Sequence, residues 1–374
     1  MRRADFGAGR LKIDGRSLGM ILLVLMALTA LGWVSFAEGA PGAWPKPQTE
    51  APREGAGDQT ANSDIHILPV QGRVYMLAGA GANITVQIGG DGVLLVDTGV
   101  AQISTKVLAA VRTLSDQPVR YIINTSVDAD HTGGNQEIAK AGNTIAGGNV
   151  LGDIGTSAGE RAAVISFQTV LDRMSGPNTP DTAPQGDWPT DTYGSAQKNL
   201  FVNDEAVQIM HQPAAHTDGD SIVFFRRSDV VSTGDVFTTT GYPVIDLERG
   251  GTIQGVVDAL NVLLYRITVS GPKQEGGTLI IPGHGRLCDQ ADLVVYQEMV
   301  TIIRDRIRDM VQKGMTLEQV KSAHPTSDYD PVYGRTTGPW TTDMFVEAAY
   351  KSLVSRKDIS QPAGSTSIGS ARHE

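Results

Sequence analysis

Four short segments of this 374-residue chain carry side chains that could bind a cation and activate water. The densest is Asn124-Thr125-Ser126-Val127-Asp128-Ala129-Asp130-His131-Thr132-Gly133-Gly134-Asn135, directly after the apolar run Val119-Arg120-Tyr121-Ile122-Ile123. Gathering Asp128, Asp130 and His131 at a strand end is costly unless a cation neutralises the carboxylates. Gly133 and Gly134 then let the chain turn into a helix. Taken alone, the same residues have a lesser reading as a polar loop with an aspartate helix cap. His216 lies in Pro213-Ala214-Ala215-His216-Thr217-Asp218-Gly219-Asp220-Ser221, ahead of the strand Ile222-Val223-Phe224-Phe225. Asp235 follows Val230-Val231-Ser232-Thr233-Gly234, and His284 follows Ile280-Ile281-Pro282-Gly283. In layered α/β folds, sites gather at strand ends, so four such loops in succession form a constellation that one loop would not. Of the seven histidines, His211 is read as structural, though its place at a strand end leaves it a possible cavity lining. His66, His324 and His373 are read as structural or solvated.

Composition narrows the chemistry. Cys288 is the only cysteine, so no intramolecular disulfide or thiolate cluster can form, and a metal must rest on imidazoles and carboxylates. The net charge of -10, with no compensating basic run, argues against a nucleic-acid backbone as the main partner; the expected partner is a small-molecule substrate. Apolar residues make up 40% and charged residues 19%, as in a globular protein. Arg2, Arg3, Arg10, Lys12 and Arg16 precede an uncharged stretch from Ser17 to Ala37 that ends in Ser35-Phe36-Ala37. This is the pattern of an export signal. As a helix, Gly19 to Val34 spans ~24 Å against a ~30 Å bilayer core, and extension to Ala37 just reaches. Residues 1–37 are therefore expected to be a signal peptide or an uncleaved anchor (18–37). Either places the protein in the periplasm or outside the cell, with membrane contact only through that segment.

The elements that must position these loops follow from periodicity. Residues 38–64 and 357–374 are rich in Pro, Gly, Ala and polar residues and read as a linker and a tail. Hairpins are predicted at His66 to Val70 with Arg73 to Ala78, and at Asn83 to Ile88 with Val93 to Val96. A helix over Ser104 to Leu114, the strand ending at Asn124, a helix over Gly134 to Ala141 and a short strand at Asn143 to Ala146 come next. Glu160 to Met174 reads as helical, and Ser175 to Ser195 loses pattern, which makes Gly152 to Asn199 a long loop of the kind that forms lids or binding walls. Strands at Ala206 to Met210, Ser221 to Phe225, Asp229 to Ser232 and Thr278 to Ile281 flank a helix from Ile253 to Val269. Beyond residue 290, Leu293 to Val311 forms an amphipathic helix, Thr316 and Gln319 form a capping box, and Phe345 to Leu353 forms a final helix. Domain boundaries are accordingly 65–290 for the body and 291–356 for a helical extension.

With these motifs in this order, the chain resembles the metallo-β-lactamase-fold hydrolase superfamily from Asp64 to Asp289. The resemblance rests on Leu95-Val96-Asp97-Thr98-Gly99, Asp130-His131-Thr132-Gly133-Gly134, Ala215-His216-Thr217, Thr233-Gly234-Asp235 and Pro282-Gly283-His284-Gly285. It implies a four-layer αββα sandwich of α/β class, here with additional C-terminal helices, and a metal site at one edge. Asp97 would brace the metal loop. Asp130, His131 and His284 would hold a firm ion, with Asp235 bridging to a weaker position formed by Asp128 and His216. Where the family carries the two histidines of its HxHxDH motif, this chain has Ser126 and Asp128. Asp128 suits zinc, iron or manganese, whereas neutral Ser126 is a poor ligand. The resemblance thus implies one firm ion, zinc first among the three metals, with the second weak or absent. The implied function is an exported metal-dependent hydrolase, in which metal-activated hydroxide attacks an ester, thioester, amide or similar bond and Asp130 orients the water or carries its proton. Two alternatives stand beside it: a dinuclear site with Asp128 in place of histidine, and a retired site on an intact fold that serves as a binding module. An aspartate at 235, where metallo-β-lactamases proper use a cysteine, argues against β-lactam hydrolysis. Cys288 does not match that cysteine's place.

Overall fold

A computed structural model describes residues 64–144, 161–177, 181–267 and 277–360, with side chains to Ser355. All of them fall within one compact unit, Gly55–Glu374. The expected signal segment, most of the linker, and residues 361–374 of the expected tail lie outside the described residues.

The first sheet has seven strands in sequence order. β1 (His66–Gln71), β2 (Val74–Ala80), β3 (Ala82–Gly89) and β4 (Gly92–Val96) pair antiparallel as two hairpins joined edge to edge. After α1 (Ser104–Leu114), β5 (Val119–Ile123) joins β4 in parallel. The short helices α2 (Ala129–Thr132) and α3 (Asn135–Lys140) follow. Then β6 (Ala163–Phe167), α4 (Gln168–Ser175) and β7 (Asp191–Tyr193) extend the parallel half. The second sheet runs β12-β11-β10-β9-β8. Its strands are β8 (Gln197–Val202), β9 (Glu205–Gln212), β10 (Asp220–Phe225), β11 (Val230–Ser232) and β12 (Leu279–Ile281), with α5 (Ile253–Val262) between the last two. The C-terminal helices are α6 (Gln290–Gln312), α7 (Leu317–Ser322), α8 (Asp330–Tyr333) and α9 (Thr342–Ser360).

Side-chain alternation sorts these elements into four layers. Along a strand, successive side chains face opposite ways, and both faces of each sheet are covered, so β4 reads as an unbroken apolar run. Leu94 and Val96 of β4 point inward with Ile123, Val223, Phe225 and Ile281, forming the core between the sheets. Val93 and Leu95 point outward with Ile122, against Val107 and Val111 of α1 and Ile138 of α3. On the other side, Ile222, Val231 and Ile280 meet Val256 and Leu260 of α5, Tyr296, Val300 and Ile303 of α6, and Phe345 of α9. The chain therefore has the αββα sandwich with C-terminal helices. Capping fixes two of those helices: Asp289 and Asp292 form a box at the start of α6, and Thr316 and Gln319 one at the start of α7.

The sequence reading departs from the structure in the middle of the chain. Within the stretch read as helical, Ala163–Phe167 is a strand, because it inserts in parallel between β5 and β7, and only Gln168–Ser175 is helix. A short apolar run of this kind cannot be told from a helix by period alone. The stretch without pattern contains β7, and the long loop read as ending at Asn199 takes in the start of β8, an edge strand. Asn143 and Thr144 are in no strand, and Ala146 lies outside the described residues. α5 gives way at Leu263 to a π-helical turn ending at Ile267. α9 runs past Lys357 to Ser360, into the expected tail.

One polar clasp ties the two sheets together away from the site. Buried Glu205 of β9 accepts hydrogen bonds from Gln87 Nε2 of β3 (2.7 Å), from the Arg227 and Ser228 amides, and from the Ser228 hydroxyl. Beside it, Asn203 receives the Asp91 amide at 2.9 Å and donates its own amide to the Asp91 carboxylate at 2.7 Å. Removing the carboxylate strands several buried donors at once. Glu205→Ala is therefore expected to lower unfolding free energy by about 3 kcal/mol. The check is a shifted urea midpoint at unchanged slope, with metal content unaffected because the clasp lies apart from the metal-binding candidates.

Candidate metal centre

The topology places every loop of interest at one edge of the sandwich. β4 and β5 are parallel, so Asp97 and the 124–135 loop leave the first sheet at the same end. β11 and β12 are parallel too, which sets Asp235 beside His284 at the end of the second sheet. β10 runs antiparallel to both β9 and β11, so the His216 turn that leads into it opens on that edge as well. Two backbone bonds sew the sheets together there: the Ser221 amide to the Thr125 carbonyl (2.9 Å) and the Asn83 amide to the Gly283 carbonyl (2.8 Å).

Asp97 organises the loop of the first sheet. It is buried and sits in the left-handed region at φ 65°. Its carboxylate accepts the Thr125 amide (2.8 Å), the Thr125 hydroxyl (2.6 Å) and His131 Nδ1–H (2.7 Å). That last bond fixes the ring so that Nε2 faces the cleft, as second-shell carboxylates do for metal-binding histidines. The His131 carbonyl is gripped by the Thr98 amide and hydroxyl, and Asn124 and Asn135 exchange side-chain bonds behind it. Gly133 and Gly134 meet a different need from the one their sequence suggests. Both have ordinary negative φ, but a Cβ on Gly133 would lie 2.8 Å from the Ala101 amide nitrogen, and one on Gly134 2.6 Å from the Thr98 carbonyl. They are demanded by close packing of α2 against the Asp97 turn rather than by a sharp bend.

Six side chains converge on the cleft. His131 Nε2 is fully buried and makes no hydrogen bond, although Asp235 Oδ2 is 3.3 Å away. His284 Nε2 lies 3.3 Å from both Asp235 Oδ1 and Asp130 Oδ2. Asp130, His131 and His284 thus form one cluster of ligand geometry, and Asp128, His216 and Asp235 form a second. Asp235 touches both imidazoles of the first cluster while belonging to the second, so it stands between them. His216 is buried, with Nδ1 unbonded, 3.6 Å from Asp220 Oδ1 and 3.7 Å from Asp128 Oδ2.

The electrostatics of the cleft are set by its carboxylates. Burial would make each imidazole less basic, yet the carboxylates prevail: Asp235, Asp97 and Asp130 hold the His131 pKa well above its ordinary value. Asp235 and Asp130 raise that of His284. Asp220 and Asp235 push His216 up to about 9 against its burial. Burial likewise opposes ionisation of Asp235, but His131 and His284 hold its carboxyl far below the usual carboxylate range. Asp130, also buried enough to resist ionisation, is kept ionised chiefly by His131 and His284. Carboxylates and unbonded imidazole nitrogens facing one another in this way fit a divalent cation, to which they would donate lone pairs.

Not every sequence candidate joins the clusters. Ser126 is buried and donates its hydroxyl to Asp128 Oδ2 at 3.0 Å, so it braces a neighbour. His211 stacks on Phe167 with ring centroids 3.4 Å apart and bonds the Asp218 carbonyl through Nε2 at 2.7 Å. Burial lowers its pKa, so it is a neutral structural histidine. Cys288 bonds the Arg286 carbonyl, and burial pushes its thiol up to about 12, unsuited to a ligand. Three positioning residues escaped the sequence reading. Asn83 donates to the Pro282 and Gly285 carbonyls (2.9 and 3.0 Å) and holds the His284 loop. Asp220 binds the Thr217 amide and hydroxyl, both at 2.8 Å, and faces His216. Arg249 donates to Asp128 at 2.9 Å. Only Asp220 had a sequence signal, four residues after His216 at a strand start.

Comparison with known proteins agrees with this architecture. No curated protein matches the chain by sequence. Among solved structures, the stereoselective inverting sec-alkylsulfatase Pisa1 from Pseudomonas sp. superposes with a TM-score of 0.56 at 14% identity over 77% of this chain. The chain spans 50% of the length of that enzyme. A metallo-beta-lactamase from Pontibacter korlensis gives a TM-score of 0.47 at 14% identity, over 63% of this chain and 99% of its own. At such identity the likeness to the alkylsulfatase concerns the fold alone. A family model described as metallo-beta-lactamase superfamily matches residues 78–284, more than half of the chain and every loop of the cleft. The chain belongs to the metallo-beta-lactamase superfamily.

Proposed function

We propose that this protein is an exported metal-dependent hydrolase whose single firm metal position is formed by Asp130, His131 and His284, with Asp235 alongside. The observation that carries this reading is the buried, unbonded Nε2 of His131, aimed by Asp97 at a cluster of carboxylates and a second imidazole. Such a nitrogen is costly to bury without a partner, and a cation supplies one. Zinc suits this histidine and carboxylate set, with iron or manganese as alternatives.

When bound, the cation would polarise a carbonyl or similar electrophile and bring the pKa of a water to about 7. The chain's own residues supply the rest. His131, held by Asp97, and His284, held in a loop that Asn83 anchors, give the position its rigidity. Asp130 is the more open carboxylate, 31% exposed against 13% for Asp235. Kept ionised, it can accept a proton from a water through Oδ2 while that oxygen stays within reach of His284. The substrate class is an ester, thioester, amide or similar bond in a small molecule. Export is supported by the basic and apolar N-terminal sequence, which also allows residues 18–37 to act as an anchor.

Metal analysis by mass spectrometry after chelator-free purification tests the reading, with about one bound equivalent expected. His131→Ala should lose both the metal and hydrolysis, whereas Ser126→Ala should retain the metal. A chain that takes up neither zinc, manganese nor iron would be a binding module on a retired site. Equally slow hydrolysis of generic esters by metal-free and metal-loaded protein would remove the enzymatic mechanism.

Asp97 allows a finer test. Asp97→Asn keeps the side-chain size and tolerates the left-handed backbone, but gives up the charge that aims His131. Zinc affinity is expected to fall about 10–100-fold with the fold intact, read by competition with a chromogenic chelator and by circular dichroism. Unchanged affinity would show that His131 needs no such partner.

A further inference from the structure

The second cluster contains a cation already. Arg249, in the loop before α5, sends Nη1 to Asp128 Oδ1 (2.9 Å) and Asp246 Oδ2 (3.2 Å), Nε to Asp181 Oδ2 (3.1 Å), and Nη2 to the other Asp181 oxygen. Its side chain is 22% exposed, and three carboxylates enclose it. The loop that carries it is built against the His216 loop. The Asp218 amide donates to the Arg249 carbonyl at 2.9 Å, and the Asp246 amide to the His216 carbonyl at 3.0 Å. A Cβ on Gly251 would strike that His216 carbonyl, so the close approach depends on glycine there.

We infer that Arg249 takes the electrostatic place of a second metal ion, so that this site holds one ion although Asp128, His216 and Asp235 lie in ligand geometry. This rests on the hydrolase reading above and goes beyond it by naming what fills the second position. Asp128 has both oxygens engaged, Oδ1 by the guanidinium and Oδ2 by the Ser126 hydroxyl. A guanidinium stays charged at any working pH, so a divalent ion arriving at Asp128 meets a fixed positive neighbour and must displace it. The changes at Ser126 and Asp128 then belong together with Arg249. Serine frees the space and steadies the aspartate, the aspartate supplies an anion where the family has a neutral imidazole, and the arginine neutralises it. Arg249 is in this sense a positioning residue, and the charge balance of the cleft is kept with one metal and one guanidinium.

The test is the amount of zinc retained by the purified chain after loading and desalting. The unmodified protein and Arg249→Lys should each hold about one equivalent, while Arg249→Met, with three carboxylates left unneutralised, should hold about two. Adding His216→Ala to Arg249→Met should return the count to about one, which separates uptake at the second cluster from uptake by the freed Asp181 and Asp246. Arg249→Gln, uncharged but still able to donate, stands in should the methionine variant fail to fold, as judged by circular dichroism. Two equivalents in the unmodified protein, or one in both uncharged variants, would overturn the inference and leave the hydrolase reading standing. No zinc in any form would remove the metal reading itself, and this inference with it.

Discussion

The contact between the Asp97 carboxylate and His131 Nδ1 is the constraint on which the cleft depends. Asp97 ends one central strand, and Thr125 and His131 belong to the loop that ends the next, so one buried carboxylate fastens two strand ends through three hydrogen bonds. A buried carboxylate is tolerable only with such partners. The same bonds settle which nitrogen of His131 carries the proton and which faces the cleft. The left-handed backbone at Asp97 shows that local strain is accepted to bring the carboxylate there.

Around this point, packing and charge make opposite demands. The sandwich needs its strands buried on both faces, which draws the loops at their ends into a low-dielectric rim. The chemistry needs several carboxylates in that same rim. The structure reconciles the two by pairing each carboxylate with a cationic or donor group: Asp97 with His131 and Thr125, Asp130 with His284, Asp220 with Thr217, and Asp128 with Arg249. Asp235 is the exception, since Oδ2 faces His131 and Oδ1 faces His284, and Oδ1 makes no hydrogen bond. It stands between the two clusters.

The departure from the family's ligand motif is therefore more than a loss. Ser126 and Asp128 look like deletions when read along the chain. In space they join a guanidinium from a loop more than a hundred residues away, and the cleft is rebuilt around a permanent charge. Asn83 has a similar place on the other side, reaching from β3 to the His284 loop some two hundred residues on. Both contacts exist only because the two sheets are laid face to face.

What the sequence determined by itself was local and periodic. Alternating and continuous apolar runs marked most strands, 3.6-residue spacing marked α1 and α6, and the capping residues of α7 were legible from their spacing. The short motifs at strand ends picked out Asp128, Asp130, His131, His216, Asp235 and His284, because such residues are costly to bury without a shared purpose, and the family resemblance added Asp97. Tertiary structure decided what periodicity could not reach. Ala163–Phe167 became a strand because neighbours on both sides offered it a ladder. Gly133 and Gly134 were required by the space beside Ala101 and Thr98 rather than by a turn. Arg249 and Asn83 gained their roles from partners distant along the chain. A side chain's period is written in its neighbours along the sequence, whereas its charge partner is chosen by which loops the packed sheets bring to the same edge.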